Sequence, residues 1–382
     1  MKIVYCLNSL KYLGGIQRVT IRKANALAIL GHEVYIIVTD HASSAIQIEE
    51  LAKTVQLIDL KVNYYEYDWK SRLHSIYSSF VKGRIHKRKL KETIEKINPD
   101  VVVSVGQSEK YLLNNIVFDG VKIREIHFVS DYKVRTSSGL LSRLCAWCKT
   151  FYDYKINLRS YDQIILLTHE DYERFWIGSR KKVSIIPNPI TVNSIVSTLE
   201  NKVVVTVGRL SLQKNLISLV ESFRLVVAKH PDWILKIYGE GPERNVLIGK
   251  INELNLEKNI ILEGYTDNVN TQLSKGSIYV STSLFEGFPL AIVEAISCGL
   301  PVVSYESPCG PKEILKDTGA GFLVSMNDIY GLANKINLLI EDDIKRKNMG
   351  YNALNRSRLY TESLVMRKWI DLFDRLLKEK NN

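Results

Sequence analysis

The sequence predicts an α/β protein with two doubly wound, Rossmann-like parallel-sheet domains facing each other across a cleft. Short runs rich in Val and Ile alternate with amphipathic helical stretches from one end to the other, as in sheets covered by helices on both faces. At 382 residues the chain is too long for one ordinary core. Its content of 46% hydrophobic and 24% charged residues is typical of a globular protein.

The first half contains seven runs with strand character, and a helix fits between the first two runs at 16–30. The prolines of Pro187-Asn188-Pro189 then interrupt the alternation. We therefore predict an N-terminal domain over residues 1–188. Its predicted strands lie at 2–7, 33–38, 55–59, 101–105, 122–128, 163–167 and 183–186.

The second half repeats the alternation and predicts a C-terminal domain over residues 189–360. A last helix at 362–380 has apolar residues at helical spacing, and we expect the segment 361–382 to pack back against the N-terminal domain. The predicted strands of the second domain lie at 203–207, 234–238, 260–263, 278–280, 301–304 and 321–324.

Cysteine usage and hydropathy favour a cytoplasmic protein. The five cysteines are odd in number and scattered, which indicates a reducing compartment. Cys145-Ala-Trp-Cys148 has the spacing of a redox motif, but no second pair accompanies it for zinc, and ordinary helix residues are the better interpretation. No run of about 18 apolar residues occurs, so no membrane-spanning helix is predicted.

The net charge of +11 is concentrated in the first half. Residues 1–190 hold 29 Lys and Arg against 19 Asp and Glu, a net +10, which leaves +1 for the rest. The excess is densest at 82–91, which suits a phosphate-rich partner such as anionic lipid, nucleic acid or a phosphorylated acceptor. A solvated helix face is an equally open interpretation. No RNA-binding motif or zinc site supports nucleic acid, so no nucleic-acid partner is expected.

The most informative segment has two glutamates eight positions apart, Glu286 and Glu294. Gly287 permits an unusual turn, and Pro289 suits the first turn of a helix predicted to continue over 290–298. One carboxylate then precedes the helix and the other lies in its second turn. Unpaired N–H groups at the helix start would seat a phosphate between them, as in a nucleotide-sugar site. An acidic loop before an ordinary packed helix is the alternative.

Ligands of doubly wound sheets bind beyond the carboxyl ends of the strands, where this sequence places several clusters. Gly14-Gly15 opens the first helix and would let the backbone approach a phosphate or a sugar. The third glycine of the dinucleotide fingerprint is missing, which disfavours a nicotinamide-dependent dehydrogenase. Arg209 and Lys214 follow a strand and would hold a diphosphate, unless they are solvated loop cations. His127 ends a buried strand, where a satisfied core histidine is the alternative.

Taken together, these motifs resemble family 4 (group 1) of the retaining glycosyltransferases, two-domain enzymes with the GT-B fold. The likeness covers nearly the whole chain, and the motifs occur in the family's order. The string 307–314 further resembles members that build bacterial surface polysaccharides, such as capsule or O-antigen. Around His127 the sequence differs from the commoner forms, in which an acidic residue or Asn adjoins the histidine. The motifs are Gly14-Gly15, His127, Gly208-Arg209 with Lys214-Asn215, Gly239-Glu240-Gly241-Pro242, Glu286 with Glu294, and Gly299-Leu300-Pro301-Val302-Val303.

The resemblance implies a role for each matching residue. Arg209 and Lys214 would bind the donor diphosphate and stabilise the leaving nucleoside diphosphate. Glu294 would receive the ribose hydroxyls, Glu286 would hold the donor sugar, and His127 would approach the C6 side of that sugar at the reaction centre. The other donor contacts would come from Gly14, Gly15, Gly239, Tyr265, Gly287, Phe288, Pro289 and Leu290.

The resemblance also implies retention of the anomeric configuration, with attack on the face of the departing phosphate. The sequence has no Asp-X-Asp motif, and its one Asp-Asp pair, Asp342-Asp343, belongs to a late charged helix. We therefore expect no metal and no other cofactor, with Arg209 and Lys214 balancing the diphosphate charge.

The acceptor is expected to be a growing saccharide on a polyprenyl diphosphate, and the donor a UDP-sugar. Aromatic and basic residues are mixed at 64–72 and 140–152, as in helices that lie peripherally on the inner face of the cytoplasmic membrane. Ordinary packed helices are the alternative. A cytosolic transferase with a soluble sugar or sugar-phosphate acceptor stays open. A non-catalytic nucleotide-sugar-binding protein is disfavoured, because the matching charged residues are intact.

Overall fold

The structure is a computed structural model in which the chain forms two compact units. The first unit comprises Met1–Leu167, Tyr172–Pro189 and Glu362–Asn382, and the second comprises Thr168–Asp171 and Ile190–Thr361. The structure describes residues 1–10, 14–40, 51–64, 72–106, 109–129, 132–135, 137–174, 182–191 and 195–381, without the side chains of 72–80, 133 and 135.

Within these ranges every pairing between strands is parallel. The first unit contains β1 (Lys2–Leu7), β2 (Glu33–Val38), β3 (Gln56–Asp59), β4 (Val101–Ser104), β5 (Val121–Glu125), β6 (Gln163–Leu166) and β7 (Val183–Ile185). The second contains β8 (Val203–Val207), β9 (Ile234–Tyr238), β10 (Ile260–Gly264), β11 (Ile278–Ser281), β12 (Val302–Tyr305) and β13 (Gly321–Val324).

Helices connect the strands in both units. They are α1 (Gly15–Ile29), α2 (Arg72–Ile97), α3 (Tyr132–Arg135), α4 (Leu140–Lys155), α5 (His169–Arg174), α6 (Leu216–Val227), α7 (Arg244–Glu253), α8 (Val269–Leu273), α9 (Leu290–Ser297), α10 (Pro311–Leu315), α11 (Ile329–Glu341), α12 (Asp343–Ser357) and α13 (Glu362–Asn381). None of the helices in the described ranges is both long and apolar enough to cross a membrane.

The two sheets have the same doubly wound topology. The described strands of the first unit are ordered β3-β2-β1-β4-β5-β6-β7, and those of the second β10-β9-β8-β11-β12-β13. In each sheet the strand order reverses beside the first strand, between β1 and β4 or between β8 and β11. Ligands of such sheets bind at this reversal, beyond the carboxyl ends of the strands. The predicted fold class is confirmed in both units.

One predicted strand boundary was wrong in a way that affects the site. The run 122–128 was expected to be strand throughout, but β5 ends at Glu125. Its neighbour β4 ends at Ser104, which pairs with Arg124, so the ladder on that side has no further partner strand. His127 therefore lies on the loop that follows β5, two residues after the last strand residue.

The C-terminal helix completes the core of the first unit. Trp369 is fully buried, and its ring lies 5.6 Å from that of Phe373. Both rings join the apolar cluster that includes Ile3 of β1 and Leu27 of α1. Burial of side chains of this size contributes about 1.5–3 kcal/mol each, so α13 is an integral part of this unit.

The core of the second unit positions the loop that precedes α6. Leu219 and Phe223 of α6 are fully buried and share one apolar cluster with Val204 of β8 and Ile336 of α11. Because α6 is packed against the sheet in this way, the segment from β8 to α6 is anchored at both ends. That segment carries Arg209 and Lys214.

Candidate functional site

Lys214 and Glu286 form an ion pair where the strand order of the second unit reverses. The Nζ atom of Lys214 lies 2.6 Å from Oε1 of Glu286. The lysine side chain is 23% exposed and the glutamate side chain 10% exposed. Water and salt screen a pair at this depth less than a surface pair. The carboxylate is thus balanced by a cation that a ligand can still reach.

Hydrogen bonds tie together the loops that carry this pair. The amide of Gln213 donates to the Phe285 carbonyl at 2.8 Å, and the Gln213 carbonyl accepts from the backbone N–H of Leu284 at 2.8 Å. The Thr282 hydroxyl donates to the Lys214 carbonyl at 2.9 Å. These hydrogen bonds join the loops after β8 and β11, which preorganises Lys214 relative to Glu286.

Glycines allow the close approach of neighbouring strand ends. A Cβ on Gly208 would lie 2.9 Å from Cε of Lys214, and one on Gly239 would lie 1.9 Å from the Gly208 carbonyl oxygen. Gly239 also has a φ of +140°, which side chains rarely adopt. These contacts explain why both positions are glycine: a side chain at Gly208 would take the space of the Lys214 side chain, and one at Gly239 would collide with the Gly208 carbonyl.

The start of α9 differs from the expectation. Pro289 is the residue before the helix, with φ −79° and ψ 76°, and the first helical residue is Leu290. The Leu290 N–H donates to the Phe288 carbonyl at 2.9 Å, and those of Ile292 and Val293 donate to the Pro289 carbonyl at 2.9 and 3.2 Å. The prediction that the first N–H groups of the helix are unpaired was therefore wrong for Leu290 and Ile292, because the turn at Pro289 supplies carbonyl acceptors for them.

Phe288 and Pro289 have packing roles through their side chains. The Phe288 ring is buried and meets the ring of Tyr360 edge-on, with 5.7 Å between centroids. Pro289 fits against Gly310, where a Cβ would lie 2.2 Å from the proline Cδ. Both side chains are thus occupied within the unit. A ligand at this loop would meet the backbone, as at the N–H groups of Gly287 and Phe288.

The second glutamate, like the first, acts electrostatically on Tyr279 of β11. Burial raises the pKa of Tyr279, and the negative charges of Glu286 and Glu294 raise it further. The two glutamates that stand eight positions apart in the sequence thus both influence one buried hydroxyl.

Three consecutive hydroxyl residues at this strand end were missed in the sequence. Ser281, Thr282 and Ser283 are buried and line a cavity of ≈ 10 Å³ together with Gly208 and Lys214. That volume admits about one water molecule and no sugar. The signal that could have identified them is a run of three hydroxyl side chains directly after a buried strand, at the strand-order reversal.

Two other predicted donor residues are exposed. Arg209 follows β8, and its side chain makes no hydrogen bond or ion pair with any residue in the described ranges. Tyr265 follows β10 and is 60% exposed. Of the two predicted diphosphate-binding cations, only Lys214 is held in place before a ligand arrives.

In the first unit the predicted glycines lie at the start of α1. Gly14 is the residue before the helix and Gly15 its first residue, and both are exposed. The first turn contains no acidic side chain, and no side chain caps it. The positive end of the helix dipole is therefore not neutralised by an acid in its own first turn.

His127 lies against a buried ion pair that sequence reasoning missed. Lys23 of α1 donates a hydrogen bond to Oε2 of Glu125, and both side chains are essentially unexposed. Oε1 of Glu125 lies 3.2 Å from Nε2 of His127, although the angle is not that of a hydrogen bond. Burial by itself would raise the pKa of Glu125. The charges of Lys23 and His127 outweigh that effect and lower the pKa to about 2.

Several cations of the basic run at 82–91 pair with neighbouring groups of the same unit. Lys89 of α2 donates to the Leu60 carbonyl at 2.6 Å. Arg88 and Lys91 pair with Glu92 and Glu95, one turn further along the same helix. These contacts favour the solvated helix face for a large part of the run. Most of the aromatic segment at 64–72 lies outside the described residues.

The Asp342-Asp343 pair serves α12. Asp342 precedes the helix and accepts from the Lys345 N–H at 2.8 Å. Asp343 pairs with Lys347 at 3.0 Å and with Arg346. Among the described residues, no group of three or more His, Cys, Asp or Glu side chains is arranged to hold a metal ion.

Comparison with known proteins agrees with this architecture. Residues 191–356 match the family model of glycosyl transferases group 1. An uncharacterised glycosyltransferase of Haemophilus influenzae is 27% identical over 97% of this chain and 98% of its own length. The UDP-Gal:alpha-D-GlcNAc-diphosphoundecaprenol alpha-1,3-galactosyltransferase of Escherichia coli is 31% identical, over 46% of this chain and only 49% of its own length.

The fold has close structural counterparts. A structure of TarM from S. aureus with bound UDP covers 97% of this chain and 99% of its own, at a TM-score of 0.78 and 16% identity. A sucrose-phosphate synthase from Thermosynechococcus elongatus has a TM-score of 0.80 at 18% identity, over 99% of this chain and all of its own. These structures share the GT-B fold with this chain. The match to the family model of glycosyl transferases group 1 covers most of the second unit.

Proposed function

We propose that this protein is a retaining glycosyltransferase that moves a sugar from a UDP-sugar to a growing, lipid-linked surface glycan. The observation that carries the proposal is the Lys214–Glu286 pair at the strand-order reversal of the second unit. A fixed cation beside a fixed carboxylate suits a ligand with a diphosphate next to a hydroxyl-rich sugar. Nucleotide-sugars have that chemistry.

The cations act on the leaving group. Negative charge grows on the diphosphate as the glycosidic bond breaks, and Lys214, which is held by Glu286, would stabilise that charge. Exposed Arg209 would add its fork of donors when the diphosphate arrives. The N–H groups of Gly287 and Phe288 would contact the distal phosphate, and Glu294 would receive the ribose hydroxyls. This arrangement needs no metal ion.

Retention of configuration requires attack on the face from which the phosphate departs. The bond from the acceptor oxygen to the anomeric carbon forms as the bond from that carbon to the phosphate oxygen breaks. The acceptor's proton passes to the departing phosphate oxygen, which acquires the electron pair of the broken bond. Glu286 is balanced by Lys214 and serves to hold sugar hydroxyls, so no enzyme nucleophile is needed.

The choice of donor and acceptor rests on similar proteins. The Escherichia coli relative is named for a UDP-galactose donor and a diphosphoundecaprenol-linked acceptor. The TarM structure with a comparable fold contains UDP. We extend both to this chain as the proposal of a UDP-sugar donor and a polyprenyl-diphosphate-linked acceptor.

Helix α4 is the best candidate for contact with the membrane that carries such an acceptor. Leu140, Leu141 and Leu144 are 86%, 80% and 57% exposed, and Trp147 is 46% exposed. The Trp147 ring stacks on Phe151 one turn later, with 5.6 Å between centroids. Exposed apolar and aromatic side chains beside the cations of such a helix are typical of interfacial binding. Peripheral membrane association is thus part of the proposal.

The donor is tested with a panel of UDP-, GDP- and ADP-sugars, by thermal shift and by release of the nucleoside diphosphate. A ligand that binds the folded state raises Tm by mass action. We expect one UDP-sugar to stabilise the protein and to be hydrolysed slowly without acceptor. Preference for a GDP- or ADP-sugar would refute the UDP assignment. Binding without turnover, even with polyprenyl-diphosphate saccharides added, would instead indicate a non-catalytic binding protein.

Membrane binding is tested by flotation with liposomes that contain or lack phosphatidylglycerol, at low salt. We expect the protein to float with anionic liposomes and Leu141→Glu to reduce that fraction several-fold. Ile344→Glu is the matched control, because Ile344 is 74% exposed on α12 in the second unit. Equal flotation of wild type and Leu141→Glu would exclude α4 as the contact.

A further inference from the structure

The Lys23–Glu125–His127 cluster contains two charged groups that the proposed donor contacts do not use. The side chains of Lys23, Glu125 and His127 are 0%, 1% and 3% exposed. Lys23 lies on the buried side of α1, Glu125 is the last residue of β5, and His127 follows on the next loop. All three belong to the first unit.

A buried ion pair at this place has a cost that an apolar pair would avoid. Removing two charges from water costs several kcal/mol per ion, and apolar replacements of similar volume are often neutral or stabilising. Part of that cost is offset, because the Lys23 Nζ lies over the rings of Tyr5 and Trp369, at 5.3 and 4.5 Å from their centroids. The Glu125 oxygen that Lys23 does not bind points to a use beyond stability.

The carboxylate of Glu125 is divided between two partners. Its Oε2 atom accepts from Lys23, and its Oε1 atom lies 3.2 Å from Nε2 of His127. Among the described residues, Nε2 of His127 has no properly aligned hydrogen-bond acceptor. Catalytic hydrogen bonds are often poorly aligned before substrate binds and tighten afterwards. The distance of 3.2 Å between Nε2 and Oε1 already lies at the edge of hydrogen-bond range, so only the angle has to improve.

We propose that Glu125 is a positioning residue for His127, and that Lys23 keeps Glu125 ionised for this purpose. Glu125 accepts a hydrogen bond from Nε2–H of the imidazole. That bond sets the tautomer and leaves Nδ1 as an acceptor for a sugar hydroxyl. The inference rests on the proposed function, since it assigns His127 to the sugar.

The test is a double-mutant cycle between Glu125→Gln and His127→Ala. Turnover is followed by release of nucleoside diphosphate from the UDP-sugar that the panel identifies. We expect His127→Ala to lower kcat by about tenfold or more, and Glu125→Gln to lower kcat by roughly tenfold with KM little changed. In the His127→Ala background, Glu125→Gln should change kcat less than about twofold, because the group it positions is gone.

The outcomes separate this inference from the proposed function. Wild-type kcat in His127→Ala would remove the role of His127, while leaving donor turnover by the second unit untouched. An equal loss from Glu125→Gln in both backgrounds would refute positioning and indicate a structural role. Tyr5→Phe is the matched control in the same cluster. It keeps the ring over Lys23 and removes a buried hydroxyl that has no hydrogen-bond partner among the described residues.

A second variant keeps the test valid if Glu125→Gln fails to fold. Lys23→Met with Glu125→Leu replaces the pair by apolar side chains, so no buried charge is left unbalanced. We expect its Tm to stay within a few degrees of wild type and its kcat to fall about as far as in Glu125→Gln. A folded double variant with wild-type kcat would overturn the proposal.

Discussion

The chain contains two lysine–glutamate pairs with the same chemistry and opposite surroundings. Lys214–Glu286 lies at a strand-order reversal, with side chains 23% and 10% exposed, whereas Lys23–Glu125 is 0% and 1% exposed. A ligand can compete for the first pair. Only protein groups reach the second. The solvent exposure of each pair therefore decides its use: an exposed pair can bind a ligand, whereas a buried pair can only position another side chain.

The largest effect should come from removing one charge of the buried pair and leaving the other without a partner. We expect Lys23→Met to lower the free energy of unfolding by about 3–5 kcal/mol, since Glu125 keeps a buried charge without its partner. Urea denaturation measures the change. The variant that also carries Glu125→Leu should recover most of the loss. If Lys23→Met unfolds at the wild-type urea concentration, the pair is less buried than described.

Acid should weaken the buried pair selectively. Glu125 has a pKa of about 2 in the folded protein, against an ordinary value of 4.5. Because the folded pKa is the lower one, the stabilisation is fully present above pH 4.5 and is lost as pH falls from 4.5 towards 2.

The loss amounts to something on the order of 3 kcal/mol. Other carboxylates titrate in the same range, so the measurement is a difference. The stability of wild type should fall more steeply between pH 5 and pH 3 than that of the variant with Lys23→Met and Glu125→Leu. Parallel pH profiles for the two proteins would contradict the assignment.

The exposed pair should instead affect turnover. We expect Lys214→Ala and Glu286→Ala each to reduce kcat by ~10²-fold or more, as removal of a preorganised charge stabiliser can. Lys202→Ala is the matched control, because Lys202 pairs with Asp232 at the surface of the same unit, with side chains 61% and 54% exposed. Near-normal rates in both purified site variants would end the assignment of this pair to the donor.

The effect of metal ions on turnover tests whether protein cations balance the diphosphate charge. If Lys214 and Arg209 balance the diphosphate, turnover should change less than about twofold when EDTA is added, whereas a bound Mg²⁺ commonly supplies several kcal/mol of charge stabilisation. The assay is nucleoside diphosphate release with and without chelator. Restoration of lost activity by Mg²⁺ or Mn²⁺ would show that a metal shares this role.

A modest effect is expected when the space beneath Lys214 is filled. In Gly208→Ala the new methyl group would lie 2.9 Å from Cε and 3.4 Å from Nζ of Lys214, so the lysine side chain must shift. We expect kcat to fall a few-fold, because the lysine side chain is flexible enough to adapt. Gly249→Ala on α7 is the control, since a Cβ there meets nothing within 4 Å. An equal effect of both substitutions would mean that Lys214 tolerates displacement.

Regular elements were predictable from the sequence, because their signals are local. Five strands begin and end at the residues predicted from the sequence pattern. They are the strands at 2–7, 33–38, 203–207, 234–238 and 321–324. β5 was overextended because its end is set by the length of β4, a neighbouring strand about twenty residues away in the chain. The N–H groups at α9 were misjudged because Pro289 adopts a turn that residue type alone does not require.

By itself, the sequence determined two doubly wound units and the order in which glycines and charges follow their strands, since periodicity and turn chemistry act over a few residues. Only the tertiary structure decided which charges meet. Lys214 and Glu286 are 72 residues apart and Lys23 and Glu125 are 102 apart. Strand order and helix packing bring such distant side chains together, and no local pattern encodes either.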